Sequence, residues 1–198
     1  MGVDRKSAMG PELLEKLQDE HCDPSRGTLK GARILRNVGE VARFFPIDEP
    51  ILCVGSGDGL EVEAWKLLGY DPVYGLDISH WRCMVAQKHG VRTWVVDIAG
   101  SRLPRPLNGK RQYANVYCAH TLEHCTNPPL AIEKFSKWAF STICIVVPVE
   151  LNGSRNPSHL SPFSGLNLQI GGFGVVYSDE RINDELEAVK VYKRNALV

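Results

Sequence analysis

Short apolar runs alternate along the chain with segments whose apolar residues recur at the helical period. Ile51–Val54 is continuously apolar, which predicts a strand covered on both faces. Leu60, Ala64, Leu67 and Leu68 then fall on one face of a helix, and Gly69 supplies its stop. Val73–Ile78 reads as the second strand, with Ser79 as N-cap of a helix running to about His89 and closed by Gly90. Val91–Ile98 is predicted as the third strand, followed by a Pro/Arg/Gly loop over 100–110, and Tyr113–Ala119 as the fourth. Asn127 before Pro128 and Pro129 marks another helix start, since proline in the first turn sacrifices no hydrogen bond. Ile132, Phe135 and Trp138 give that helix an apolar side, and Ser141–Val149 is a fifth strand of central, doubly buried character.

Beyond Val149 the pattern changes. Residues 150–172 are rich in turn formers, with room for one short helix. Two closing strands near Phe173–Tyr177 and Leu186–Tyr192 form an antiparallel hairpin at one edge. Ahead of Ile51, "PELLEKLQDE" is amphipathic and Gly31–Phe45 is a second helix candidate. Strand–helix alternation with short connections predicts an α/β fold, a mostly parallel sheet with helices on both faces.

Composition narrows the function classes. Lys+Arg and Asp+Glu both number 23, so no net charge favours a polyanion, and Arg102, Arg105, Lys110 and Arg111 read as a solvated loop. No strong nucleic-acid signal is therefore expected. Cys22, Cys53, Cys83, Cys118, Cys125 and Cys144 show no CxxC spacing and several lie in apolar runs, as free thiols of a reducing compartment would. "MGVDRKSAMG" lacks the apolar core of a signal peptide, and Ile143–Val149 is far shorter than the ~20 residues a bilayer span needs. A cytoplasmic protein without a membrane segment is the expectation.

The candidate chemistry sits at strand ends. The first strand runs directly into Gly55-Ser-Gly57-Asp-Gly59, where a side chain would block close backbone approach or forbid a positive-φ turn. An ordinary strand-to-helix turn also uses glycines this way. Asp77, about 20 residues further on at the second strand's end, is placed to accept the hydroxyls of a ribose. Asp97, at the end of the third, can accept from an exocyclic amine such as that of adenine. A nicotinamide or flavin dinucleotide is the competing ligand, but its fingerprint wants a glycine where this chain has Leu60.

"ILCVGSGDG", "VYGLDIS", "VVDIAG" and "YANVYCAHTLEHCTNP", in that order and spacing, resemble the successive motifs of class I S-adenosylmethionine-dependent methyltransferases. The closing "GGFGVVYSDE…LEAVKVYKR" resembles the end of the same fold, so the likeness covers Ile51 to Arg194. It implies a seven-stranded Rossmann-like sheet whose last strand is antiparallel and inserted between its neighbours. It implies S-adenosyl-L-methionine as cofactor, its methionine and ribose parts against Gly55, Ser56, Gly57, Asp58 and Gly59. Asp77 and Ile78 would hold the ribose, Asp97 and Ile98 the adenine, and Ala119–His120 would line the floor. On this reading 1–198 is a single methyltransferase domain: 1–48 a helical lid, 49–150 the cofactor-binding half, and 151–198 the acceptor-side loop and closing hairpin. One position departs from the pattern. Where the family carries an acid two residues before the first glycine, this chain has Cys53, and Asp58, within the loop, is the candidate to compensate.

Methyl transfer from a sulfonium is an in-line displacement that needs alignment and exclusion of water more than acid or base. His120, His124 and His159 are the candidate catalytic residues, His120 foremost because it directly follows a strand, with Glu123, Glu150 and Asn156 nearby in sequence. A zinc site through Cys118 or Cys125 lacks a clean ligand pair, and no metal is expected. The acceptor is expected to be a small molecule, with oligomeric state left open. A methyltransferase-like binding or scaffold protein without turnover is the alternative, and a nucleotide-linked oxidoreductase the third.

Overall fold

The computed structural model describes residues 27–98, 113–150, 158–161, 163, 167–182 and 186–196. These form α1 (Gly27–Val41), a 3-10 turn (Ala42–Phe44), β1 (Ile51–Val54), α2 (Leu60–Leu67), β2 (Val73–Asp77), α3 (His80–Lys88) and β3 (Thr93–Val95). They continue with β4 (Tyr113–Ala119), a 3-10 turn (Leu122–His124), α4 (Pro128–Trp138), β5 (Ala139–Pro148), β6 (Phe173–Ile182) and β7 (Leu186–Arg194).

The strands make one seven-stranded sheet in the order β3-β2-β1-β4-β5-β7-β6. Neighbours from β3 to β5 pair in parallel, while β7 runs antiparallel to both β5 and β6. The α/β class and the inserted antiparallel strand therefore match the expectation. Chain direction across the sheet reverses between β1 and β4, which is where an open parallel sheet leaves a crevice at its carboxyl edge.

Alternation along the strands builds two cores. Ile51 and Cys53 face a layer made with Ile34, Leu35, Val38 and Val41 of α1 and Val62, Ala64 and Trp65 of α2. Leu52 and Val54 face the opposite layer, closed by Ala131, Ile132 and Phe135 of α4. Trp65 is fully buried and meets Phe45, Tyr70 and Tyr117 at centroid distances of 4.6, 4.9 and 5.5 Å, two of them edge-on.

Helix boundaries follow the caps. The Ser79 hydroxyl accepts the N–H of Arg82, and the Asn127 side chain accepts that of Leu130. Two departures from the sequence reading have physical causes. The third strand pairs only over Thr93–Val95, because Gly75–Asp77 offer just that length of partner and Val95 lies at an open edge. β6 extends to Ile182 through "SDERI", polar because its outer edge faces water. Of the segment expected as a lid over 1–48, only residues 27–48 are described, and there Ile34, Leu35, Val38 and Val41 of α1 pack into the core. The buried residues of α1 are locked into the sheet's packing, and none of the helix lines the cleft described next. "PELLEKLQDE", Arg102, Arg105, Lys110, Arg111 and Asn156 lie outside the described residues.

Candidate active site

A cleft of about 310 Å³ opens at the carboxyl ends of the parallel strands, within the range of small-ligand pockets. Gly55 from the end of β1, Asp77 and Ile78 from β2, and Asp97 and Ile98 beyond β3 line it, joined by Thr121, His124, Cys125 and Asn127 from the β4–α4 connection.

All three loop glycines have positive φ: +71° at Gly55, +55° at Gly57 and +99° at Gly59. The turn itself demands them, before any ligand is considered. At Gly55 a Cβ would also stand 1.9 Å from Thr121 Oγ1, so the first glycine leaves room for a protein side chain as well. Gly59 begins α2 and faces Val91 and Ala86; Ser56 contacts the Leu76 carbonyl through its hydroxyl. Gly57 donates its N–H to Asp77 Oδ2 at 2.9 Å, while Ser79 donates to Oδ1 at 2.8 Å. Asp77 thus ties the glycine turn to the start of α3, and each of its oxygens retains acceptor capacity.

Of the expected cofactor contacts, Gly55, Asp77, Ile78, Asp97 and Ile98 line the cleft. Ser56, Gly57, Asp58 and Gly59 shape the turn beneath it without lining it. Ala119 and His120, expected at the floor, are not among the residues that line this cleft. Ala119 packs into the α1–α2 core, and His120, with φ +48°, turns its ring away from the cleft. Thr121, the next residue, does line it, its hydroxyl bonded to the Ala119 carbonyl at 3.0 Å. Sequence reasoning missed Thr121, because a contact between a threonine and a distant glycine leaves no local pattern.

Cys53 is enclosed in the core, where burial and then the Glu61 carboxylate push its thiol well up. The carboxylate that acts on Cys53 is thus Glu61, from the first turn of α2, whereas Asp58 was the sequence candidate.

His120 lies between two buried acids. Its Nε2 donates to Glu187 Oε1 at 2.7 Å, and its Nδ1 is 3.7 Å from Glu123 Oε1. Arg36 reaches Glu187 at 3.2 Å and Arg33 at 4.0 Å. Burial raises the Glu187 carboxyl, but the His120 hydrogen bond and charge, with Arg33 and Arg36, outweigh it and hold the group below its ordinary value. A depressed carboxylate stabilises the fold above its unfolded pKa, and that contribution disappears as pH falls through the folded value. Glu187→Gln is expected to cost about 2 kcal/mol at pH 7, between the values for exposed and fully buried ion pairs because Arg36 stays partly in water. Denaturant melts should show the gap to wild type closing below about pH 4, near the ordinary glutamate pKa. A gap independent of pH would contradict the assignment.

His124 and His159 diverge from His120 and approach each other, with ring centroids 5.0 Å apart. Backbone bonds stitch their segments together: Ser161 N–H donates to the Glu123 carbonyl at 3.0 Å, and Ser161 Oγ to that of Cys125 at 2.8 Å. Between the histidines lies Glu123, 1 % exposed, whose carboxyl burial pushes up against the lowering pull of its own backbone N–H and of His120, His124 and His159.

Residues 52–139 match the family model described as a methyltransferase domain. No curated protein matches the chain by sequence. Among solved structures, magnesium protoporphyrin IX methyltransferase of Synechocystis PCC 6803 with bound SAH is similar at TM-score 0.60 and 14% identity, over 84% of this chain and 83% of that one. A chain from the complex of the Haloferax volcanii Trm112 methyltransferase activator with a methyltransferase gives TM-score 0.63 at 12% identity, over 99% and 100%. The cyclase SpnF gives TM-score 0.64 at 14%, over 82% and 81%. The fold is the Rossmann-like fold of class I S-adenosylmethionine-dependent methyltransferases, and the motif resemblance and the domain match agree on that class.

Proposed function

We propose that the chain is an S-adenosyl-L-methionine-dependent methyltransferase acting on a small-molecule acceptor. The observation that carries this reading is the coupling of the glycine turn to Asp77 at the mouth of the cleft, through the Gly57 N–H. The residues present fit the cofactor. Gly55 brings backbone to the cleft on a turn shaped by Gly57 and Gly59, Asp77 has acceptor capacity for ribose hydroxyls, and the exposed Asp97 and half-buried Ile98 border a slot for a flat base. When bound, the cofactor supplies an electrophilic methyl group on a sulfonium.

The protein's own tasks are then positional. Gly55 and Thr121 set the floor depth, and Ile78, 70 % exposed, covers the ribose edge. Lys134 donates to the Ile98 carbonyl at 2.6 Å, steadying the adenine side. His124 lines the acceptor side with His159 packed against its ring, and His120 acts through Glu187 and Glu123 as a positioning residue. Cys53, Cys83, Cys118 and Cys144, all buried and unpaired, support a cytoplasmic setting. Among the described residues no helix is long and apolar enough to cross a membrane.

Tritiated methyl transfer, assayed against phenols, catechols, amines and small hydroxy acids, tests the activity. Transfer to at least one class, absent from a Gly55→Val variant, is expected. Cofactor binding without transfer to any of them would instead favour the non-catalytic binding protein.

A further inference from the structure

We propose that Glu123, His124 and His159 form a binding site for one borderline first-row divalent cation, zinc foremost, on the acceptor side of the cleft. The proposal does not depend on methyl transfer, and it departs from the sequence expectation of no metal. That expectation looked for cysteine partners; the histidine that completes the set arrives from beyond β5.

One ligand atom from each residue lies within 4.8 Å of the other two. Two imidazoles and a carboxylate suit zinc or its neighbours and disfavour magnesium or calcium, which prefer all-oxygen shells. The Glu123 side chain is 1 % exposed, and its Oε2 accepts no hydrogen bond among the described residues. A buried carboxylate oxygen left so is costly, and a cation would satisfy it.

Both rings are oriented as ligands are. His124 Nδ1 lies 3.0 Å from the Ser158 carbonyl oxygen, which can only accept, so Nδ1 carries the proton. Nε2 then holds the lone pair, and it faces Glu123 Oε1 at 4.0 Å. His159 Nδ1 is hydrogen-bonded to the Glu150 carboxylate, the kind of partner that fixes the same Nδ1–H tautomer and leaves Nε2 as the atom that would bind the ion. His159 and Glu150 are only 11% and 12% exposed in their side chains, so the orienting pair is itself held by packing.

Ligand atoms around a tetrahedral zinc stand about 3.4 Å apart at ordinary bond lengths. Closing from 4.8 Å asks for about 1 Å of movement at each partner, which the half-exposed His124 ring can supply by rotation. His124 also lines the cleft, so coordination positions not filled by protein open toward it.

The test uses the full chain, stripped with EDTA and free of cofactor. Titration with Co²⁺ is expected to give one equivalent with visible d–d absorption, displaced by Zn²⁺ and untouched by excess Mg²⁺. His159→Ala and His124→Ala should each weaken binding at least about 100-fold, and Glu150→Gln about 10-fold, in the range of an orienting partner. Cys125→Ser should bind as wild type. His124 is exposed enough for its variant to keep the fold, which a melting curve verifies. Two outcomes overturn the proposal: no stoichiometric binding below millimolar metal, or binding that persists in both histidine variants and marks an adventitious ion only.

Discussion

Gly55→Ala is expected to lower the melting temperature by roughly 10 °C and to abolish cofactor binding, whereas Gly57→Ala should cost only a few degrees. Both positions have positive φ, so both substitutions carry the left-handed penalty of about 1–2 kcal/mol. They differ in what the new methyl meets. At Gly57 the nearest atom is the mobile end of Arg82 at 3.4 Å; at Gly55 it is Thr121, at 1.9 Å from Oγ1, 2.6 Å from Cγ2 and 2.8 Å from Cβ. Thr121 cannot yield freely, because its hydroxyl is tied to the carbonyls of Ala119 and Val54. The clash is expected to add about 2–3 kcal/mol, the upper range for overpacking. Introducing Thr121→Gly beside Gly55→Ala removes all three contacts and should restore much of the lost stability. Equal melting temperatures for the two single variants would show that the Gly55–Thr121 contact does not set the turn.

The second large effect is at Asp77. Its carboxylate accepts the backbone N–H groups of Gly57 and Ser79, so alanine here leaves two donors stranded and unhooks the turn from α3. It would also remove the ribose contacts proposed above, each worth about 1.5–3 kcal/mol as charge-assisted hydrogen bonds. Affinity for S-adenosylhomocysteine is expected to fall at least about 100-fold by calorimetry, since each 1.4 kcal/mol is tenfold. Asp97→Ala, at an exposed position, should cost less. A cofactor affinity untouched by Asp77→Ala would remove the residue from the site.

How legible these features were in the sequence depended on how local their causes are. β4 is read to the residue, Tyr113–Ala119, because a central strand buried throughout is a bounded apolar run. The caps at Ser79 and Asn127 are equally local, each side chain bonding three residues ahead. β3 was overread. Val91 and Val96 are apolar because they pack into opposite cores as the chain enters and leaves the strand, and hydrophobicity alone does not separate that from pairing. The polar half of β6 was underread for the converse reason.

In the site, Gly55 and Asp77 were visible because backbone conformation and strand ends constrain residue type. Thr121 over Gly55 and Glu61 near Cys53 were not, since only the fold brings them together. The histidines show both sides of this. His120 and His124 stood out by spacing, yet with the 3-10 turn at Leu122–His124 and the positive φ at His120 only His120 reaches Glu187, while Glu123 lies within 4.0 Å of both rings. His124 instead meets His159, a partner no short motif connects to it.

The whole account rests on an adenosyl ligand in the cleft between Gly55, Asp77 and Asp97. Titrating S-adenosylhomocysteine into the folded full-length chain measures that directly. One equivalent bound with micromolar affinity, and no heat from NAD(H) under the same conditions, is the predicted result. No heat from S-adenosylhomocysteine up to millimolar concentration would contradict it.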